Sequence, residues 1–138
     1  MNKIFIDTNI IIYANDKRDK IKQDKAIKVV TELMKKEMGV ISTQVLQEYA
    51  YIAINKLKQS HDVVIRQIRL LESLEVVNQV PELILRAIEI LSSYQINFWD
   101  ACIISIAEYA NCSLIYSEDL NAGQFYSGIQ VVNPLNSD

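Results

Sequence analysis

Short apolar runs alternate along the chain with longer segments in which apolar residues recur at helical spacing. Runs bounded by polar or turn-forming residues predict buried strands, and the spaced stripes predict helices that cover them. The predicted strands are 3–7, 40–41, 74–77, 113–116 and 129–132. The predicted helices are 21–37, 43–58, 61–73, a segment that begins after Pro81, and 98–110. The pattern is typical of a chain in which strands and helices alternate.

Residues with strong preferences at helix ends set several of these limits. Gly39 suits the position just after the first helix, and Thr43 and Asn97 suit N-caps. Pro81 suits a first helical turn. Alternating strands and helices favour a parallel sheet with helices on both faces. We therefore expect an α/β fold with three layers, α/β/α, around a central parallel sheet of about five strands, with residues 1–138 as a single domain.

The composition excludes several classes of protein. The 138 residues, half of them apolar, suffice for one domain with a hydrophobic core. No apolar run approaches the roughly 18 residues that a membrane-spanning helix needs. Asp7 also interrupts the apolar run after Lys3 too early for a signal peptide. Cys102 and Cys112 form no CxxC pair and are expected to be buried free thiols. We expect a cytoplasmic protein.

The two halves of the chain carry opposite charge. Residues 1–69 contain 13 Lys/Arg and 8 Asp/Glu, a net charge of +5, whereas residues 70–138 contain one Arg and 9 acids, a net charge of −8. The acidic half argues against a protein that coats nucleic acid passively. The basic half offers phosphate contacts, for which Arg18 and the lysines at positions 17, 20, 22, 25 and 28 are candidates. The alternative is that these lysines lie on a solvated helix face.

Four acidic residues stand at the ends or edges of predicted core elements. Asp7 ends the first strand, Asp119 follows the strand 113–116, and Asp100 opens the helix 98–110. The carboxyl ends of parallel strands meet at one edge of the sheet, where ligands bind in such folds. Glu48 is expected on the core side of its helix. A buried carboxylate is costly unless it is paired, hydrogen-bonded or bound to metal, so the set predicts a shared cation.

Each acid except Glu48 also has a purely structural interpretation. Asp7 suits a cap on the turn that follows it, and Asp100 follows Asn97 at the spacing of a capping box. Asp119 suits an Asx-turn. Taken together, the four positions favour one metal site over four independent coincidences.

The remaining chemistry narrows the reaction class. Oxygen ligands select hard cations such as Mg²⁺ or Mn²⁺. His61 is the only histidine, so the chain lacks the acid–base pair of a metal-free ribonuclease, and His61 itself is expected on the surface at a helix start. Neither a GxxxxGK[ST] loop, a GxGxxG loop nor a Ser-centred nucleophile elbow is present. What remains is metal-assisted hydrolysis, in which a cation activates water and stabilises developing negative charge.

Four short motifs together resemble those of the PIN-domain ribonucleases. The order and spacing of the motifs and the length of the chain resemble those of the stand-alone VapC-type toxins in that family. The motifs lie at 6–9, 42–48, 98–101 and 116–124. The resemblance implies a Mg²⁺/Mn²⁺-dependent endoribonuclease that acts as the toxin of a toxin–antitoxin pair. It also implies an RNA substrate, a cognate antitoxin that inhibits the enzyme, and a homodimer.

The same resemblance implies roles for particular residues. The catalytic, metal-binding acids implied are Asp7, Glu48, Asp100 and Asp119. The residues implied to orient ligands or substrate are Thr8, Asn9 and Ser117, and Glu118 is an alternative that shares or replaces the role of Asp119.

Two other readings of the residues stay open. One is a different metal-dependent phosphohydrolase, such as a haloacid-dehalogenase-like phosphatase, although that class needs a DxDxT loop and Asn9 occupies the position of its second Asp. The other is a non-catalytic binding module in which an acidic pocket holds a structural metal. A nuclease assay with and without EDTA separates these cases from the ribonuclease.

Overall fold

Strands and helices alternate as the pattern predicts. The computed structural model describes residues 2–136. Its strands are β1 Lys3–Ile6, β2 Gly39–Ser42, β3 Glu75–Val77, β4 Cys112–Tyr116, β5 Phe125–Tyr126 and β6 Ile129–Val132. They form one sheet in the order β3-β2-β1-β4-β6-β5. The five predicted strands pair in parallel, and the short β5 adds an antiparallel edge strand that was not predicted.

Six helices flank this sheet. They are α1 Thr8–Ala14, α2 Lys20–Lys35, α3 Thr43–Asn55, α4 His61–Leu71, α5 Pro81–Ser93 and α6 Phe98–Tyr109. The helix α1 packs against α2 and α3, and α5 packs against α6. The predicted α/β architecture with a mostly parallel central sheet is thus confirmed. The helix α1 was not predicted. Asp7, which was assigned to the strand, caps this helix by accepting a hydrogen bond from the Thr8 N–H.

Buried apolar side chains on β1 and α6 form the centre of the core. Phe5 and Ile6 of β1 are fully buried. The helix α6 is buried along nearly its whole length after its first turn, from Ala101 to Ala107. Cys102 and Cys112 are buried free thiols, as expected. No helix within residues 2–136 combines the length and the apolar character needed to cross a membrane.

Of the four residues predicted at helix ends, two were right and two were assigned to the wrong position. Pro81 is the first residue of α5, as predicted. Asn97 caps α6, since its Oδ1 accepts a hydrogen bond from the Asp100 N–H at 2.8 Å. The cap of α3 is Ser42 rather than Thr43, because the Ser42 hydroxyl accepts from the Val45 N–H at 3.2 Å. Thr43 is the first residue of the helix, and its hydroxyl accepts a hydrogen bond from the Gln79 N–H.

Gly39 does not end α2 as predicted. The left-handed residue after that helix is Glu37, with φ of 56°, and Gly39 is the buried first residue of β2. A Cβ at position 39 would lie 2.5 Å from Leu74 Cδ2. A side chain at position 39 would therefore force Leu74 to move from its buried position.

Candidate active site

The carboxyl ends of β1 and β4 place Asp7 beside the 117–119 turn. These strands pair in parallel with Ile6 opposite Tyr116, so the residue after each strand emerges at the same edge. The Asp7 N–H donates to the Tyr116 carbonyl at 2.9 Å. The Ser117 hydroxyl, which is fully buried, donates to Asp7 Oδ2 at 2.8 Å. Ser117 thus fixes the orientation of the Asp7 carboxylate, as a residue that orients ligands would.

Asp7 is the buried member of the acidic set. It is 6% exposed, and burial raises its pKa to about 6, against the opposing hydrogen bonds from Ser117 and the Thr8 N–H. The charges of Glu48 and Asp119 raise the pKa further. Among residues 2–136, no lysine, arginine or histidine forms an ion pair with Asp7. Asp7 therefore carries a buried charge that the described part of the chain does not neutralise.

Thr8 and Asn9 hold two of the other acids, Glu48 and Asp119, beside Asp7. The Thr8 hydroxyl donates to Glu48 Oε1 at 2.8 Å. Asn9 Nδ2 donates to Asp119 Oδ2 at 3.0 Å and more weakly to Asp7 Oδ2 at 3.4 Å. Thr8 and Asn9, at the start of α1, thus fix the positions of carboxylates that come from three separate parts of the chain.

Glu48 and Asp119 do not lie in the core. Both side chains are exposed to solvent, so the expectation that Glu48 points to the core side of α3 is wrong. It faces the groove in front of the sheet edge instead. Asp100, in the first turn of α6, is half-buried. Burial raises its pKa, and the charge of Asp119 raises it further, which places Asp100 and Asp119 in one electrostatic environment.

Glu118 differs from the other acids because a cation neutralises it. Lys22 Nζ donates to Glu118 Oε2 at 2.7 Å, and the Tyr13 hydroxyl donates to Oε1 at 2.6 Å. Lys22 also lies 4.6 Å from the centre of the Tyr13 ring. Burial raises the pKa of Glu118, but the hydrogen bonds from Lys22 and Tyr13 outweigh it, so that pKa lies below its usual value. This arrangement ties the 117–119 turn to α2.

One groove of about 420 Å³ is lined by these five carboxylates and by Asp16, together with Thr8 and Asn9. A stripe along α3 forms one wall, in which Gln44, Glu48, Ile52 and Lys56 recur every fourth residue. This stripe spans about 18 Å, since a helix rises about 1.5 Å per residue. This wall is therefore long enough to lie along an extended ligand, with Lys56 at one end of it.

The basic residues proposed from sequence are mostly engaged elsewhere. Arg18 lines the groove but forms a bidentate pair with Asp16, and the hydrogen bonds from Arg18 hold the Asp16 pKa near 2. Lys20 pairs with Asp24. Lys22 holds Glu118, and Lys25 donates to the Leu135 carbonyl. Lys56, which the sequence argument missed, lines the groove without an ion pair in the described part of the chain. Its position eight residues after Glu48 is the signal that places both on one helix face.

The donor set fits a hard cation better than a soft one. The groove presents carboxylate and amide oxygens, and neither cysteine lines it. Within residues 2–136, no three His, Cys, Asp or Glu side chains stand close enough together to hold a metal ion. The acids instead line the groove from separate elements, with Asp7 after β1, Glu48 on α3, Asp100 on α6 and Asp119 after β4. The buried and unpaired charge of Asp7 is the feature that favours a cation here, and the metal-binding role of the four acids stays a prediction.

Comparison with known proteins identifies the family. The family model for the PIN domain matches residues 4–126, and the chain therefore belongs to the PIN-domain family. No curated protein matches the chain significantly.

Solved structures share the fold along nearly the whole chain. VapC20 from Mycobacterium tuberculosis, described as a sarcin–ricin loop cleaving toxin, is 19% identical with a TM-score of 0.65, over 93% of this chain and 99% of that one. A toxin–antitoxin complex from Klebsiella pneumoniae is 19% identical with a TM-score of 0.71, over 96% and 98%. VapBC2 from Rickettsia felis, bound to a DNA fragment from its promoter, is 20% identical with a TM-score of 0.69, over 93% and 96%. The similarity shows that the VapC toxins and this chain share one fold.

Proposed function

We propose that this protein is a Mg²⁺- or Mn²⁺-dependent endoribonuclease and the toxin of a toxin–antitoxin pair. The observation that carries the proposal is the groove in which Asp7, buried and unpaired, lies among three further carboxylates that no cation neutralises within the described residues. Membership of the PIN-domain family supports it, and so does a fold shared with a toxin described as cleaving the sarcin–ricin loop.

The four acids take the role of metal ligands and catalytic residues. Asp7, Glu48, Asp100 and Asp119 supply the oxygens that hold the cation. When bound, a divalent cation would activate an attacking water and stabilise negative charge on the phosphate.

Three neighbouring side chains keep these carboxylates in place. Ser117 and Asn9 orient Asp7 and Asp119, and Thr8 orients Glu48. Asp119 is the fourth acid rather than Glu118, because Lys22 already neutralises Glu118. Glu118 instead anchors the turn that carries Asp119.

The charge distribution in the groove suits a phosphodiester substrate. Lys56 stands at one end of the α3 wall and attracts phosphates, while the carboxylates of the groove repel them unless a cation is present. An RNA strand lying along the groove would place flanking phosphates near Lys56 and the scissile phosphate near Asp7. Because the carboxylates repel the substrate phosphates when no cation is bound, the reaction depends on the cation.

A small antitoxin is the proposed protein partner. Solved structures with this fold include toxin–antitoxin complexes from Klebsiella pneumoniae and Rickettsia felis. The carboxylates of the groove form a receptor for an arginine or lysine of such a partner, which would pair with them in place of the cation. We also propose that the toxin acts as a homodimer.

Purified protein, freed of any partner, provides the test. We expect cleavage of single-stranded RNA with Mg²⁺ or Mn²⁺, none in EDTA, and none by a folded Asp100→Asn variant. The control is Asp24→Asn, which removes an exposed carboxylate of α2 that lies outside the groove. Cleavage that persists in EDTA would contradict the proposal. A chain that binds the cation but cleaves no RNA would support the binding-module alternative instead.

A further inference from the structure

The only tryptophan of the chain lies on the groove. Trp99, in the first turn of α6, lines the groove next to Asp100 and is 63% exposed. The Phe98 ring supports it, with the two ring centres 5.3 Å apart and the planes inclined at 71°. The indole is thus held from one side by an aromatic neighbour and is open to solvent on much of its surface.

Folding does not explain this exposure. The helix α6 buries every residue from Ala101 to Ala107, and a large aromatic side chain contributes most to stability when it is buried in the same way. Trp99 does not contribute to stability in this way, because its side chain is largely exposed and lines the acidic groove. Single exposed apolar residues are common on protein surfaces, but among the large exposed apolar side chains of residues 2–136 only Trp99 lines the groove.

The surroundings of Trp99 select a neutral, flat ligand group. Ile52 and Ile103 add apolar surface to the groove, and Asp100 and Glu48 add negative charge. A phosphate is repelled at this wall, whereas a nucleobase is uncharged and presents an aromatic face. Every base has such a face, so stacking on an aromatic side chain is the usual way in which single-stranded RNA is held.

We propose that Trp99 is the stacking platform for one nucleobase of the bound RNA, next to the scissile phosphate. The proposal deepens the proposed ribonuclease function and rests on it. In this arrangement the strand has two anchors. Lys56 holds phosphates at one end of the groove, and Trp99 holds a base beside the carboxylates.

Stacking of this kind predicts a measurable loss of affinity. Removing an aromatic platform weakens single-strand binding by about 5- to 150-fold. We expect Trp99→Leu, which keeps apolar bulk but removes the ring, to weaken RNA binding within this range and to raise KM more than it lowers kcat. Trp99→Phe keeps a smaller ring and should recover most of the affinity.

The intrinsic fluorescence of Trp99 reports the contact directly. The Asp7→Asn variant, in Mg²⁺ buffer, is titrated with a short single-stranded RNA and with strands that carry one abasic nucleotide at successive positions. Fluorescence anisotropy of the labelled RNA measures binding independently. We expect the intact strand to quench Trp99, and an abasic nucleotide at one position to remove the quenching. Tyr109→Leu is the matched control, since Tyr109 is similarly exposed at the other end of α6 and does not line the groove.

The outcomes separate this proposal from the proposed function. RNA that binds and is cleaved by the wild type but leaves Trp99 fluorescence unchanged overturns the stacking role alone. Equal affinity of Trp99→Leu and wild type does the same. Quenching by the antitoxin but not by RNA also overturns it and assigns Trp99 to protein recognition. A chain that neither binds nor cleaves RNA overturns both proposals.

Discussion

Replacing Asp7 with Asn should stabilise the metal-free fold while it abolishes cleavage. Burial raises the pKa of Asp7 from 3.8 to about 6. A tenfold change in an ionisation equilibrium corresponds to about 1.4 kcal/mol, so ionised Asp7 costs the fold about 3 kcal/mol. The Asn side chain carries no charge, but it replaces the acceptor of the Ser117 hydroxyl at Oδ2 with an N–H group. That change costs about 1 kcal/mol.

The expected net gain is therefore about 2 kcal/mol at pH 8, or a rise in Tm of about 7 °C for a chain of this length. The gain depends on pH in a defined direction. Because the folded pKa lies above 3.8, the folded wild type binds the Asp7 proton more tightly than the unfolded chain does. The wild type therefore loses this stability as pH rises from about 4 to about 6, and the variant does not.

Thermal melts in EDTA at several values between pH 4 and pH 8 measure the effect. Near pH 4 the variant should be less stable than the wild type by up to about 1 kcal/mol, because Asp7 is then protonated in the folded chain and only the acceptor for Ser117 is lost. By pH 6 the variant should be the more stable of the two, and its gain should stay at about 2 kcal/mol from about pH 7 to pH 8. Added Mn²⁺ should raise the Tm of the wild type more than that of Asp7→Asn. The control Asp24→Asn removes an exposed, ion-paired carboxylate and should change stability by less than about 0.5 kcal/mol at every pH. If Asp7 is only a helix cap, Asp7→Asn, whose side chain caps a helix about as well, would not melt at a higher temperature than the wild type at pH 8 and would cleave RNA normally.

Three further experiments, with four variants, test the assignment of the fourth acid, the phosphate contact of Lys56 and the packing at Gly39. Asp119→Asn should lower kcat far more than Glu118→Gln, because Lys22 already neutralises Glu118; equal losses in single-turnover rates would refute this assignment. Lys56→Ala should weaken RNA binding and reduce the slope of log K against log salt by about one, and an unchanged slope would exclude a phosphate contact. Gly39→Ala should destabilise the fold by about 1–3 kcal/mol, because its Cβ would meet the Leu74 side chain at 2.5 Å; denaturant unfolding measures this loss, and an unchanged midpoint would refute it.

The sequence predicted most of the fold because its helices and strands have clear patterns. The buried runs of β1 and β4 are flanked by polar residues, and a parallel sheet brings their carboxyl ends together. The proximity of Asp7 to the 117–119 turn followed from that topology alone. The helix α1 was missed because its seven residues are too few to show a helical period. The edge strand β5 was missed because it has only two residues.

The candidate site was less predictable, since charge pairing depends on tertiary contacts. The periodicity of α3 gave no indication that Glu48 faces an open groove instead of the core. Lys22 and Glu118 are 96 positions apart, and only the folded chain brings them to 2.7 Å. The sequence therefore left open whether Glu118 or Asp119 is the fourth acid. The position of Lys56 on the Glu48 face was visible in the spacing and was overlooked.

The end groups of the cleaved RNA test the central claim most directly. The groove contains acids and no histidine, and His61 lies at the start of α4 outside it. Water activated at the cation, rather than the 2′-hydroxyl of the RNA, should therefore attack the phosphate. We expect products of the Mg²⁺- or Mn²⁺-supported reaction to carry 5′-phosphate and 3′-hydroxyl ends. Products that end in 2′,3′-cyclic phosphate would contradict hydrolysis by the acidic groove.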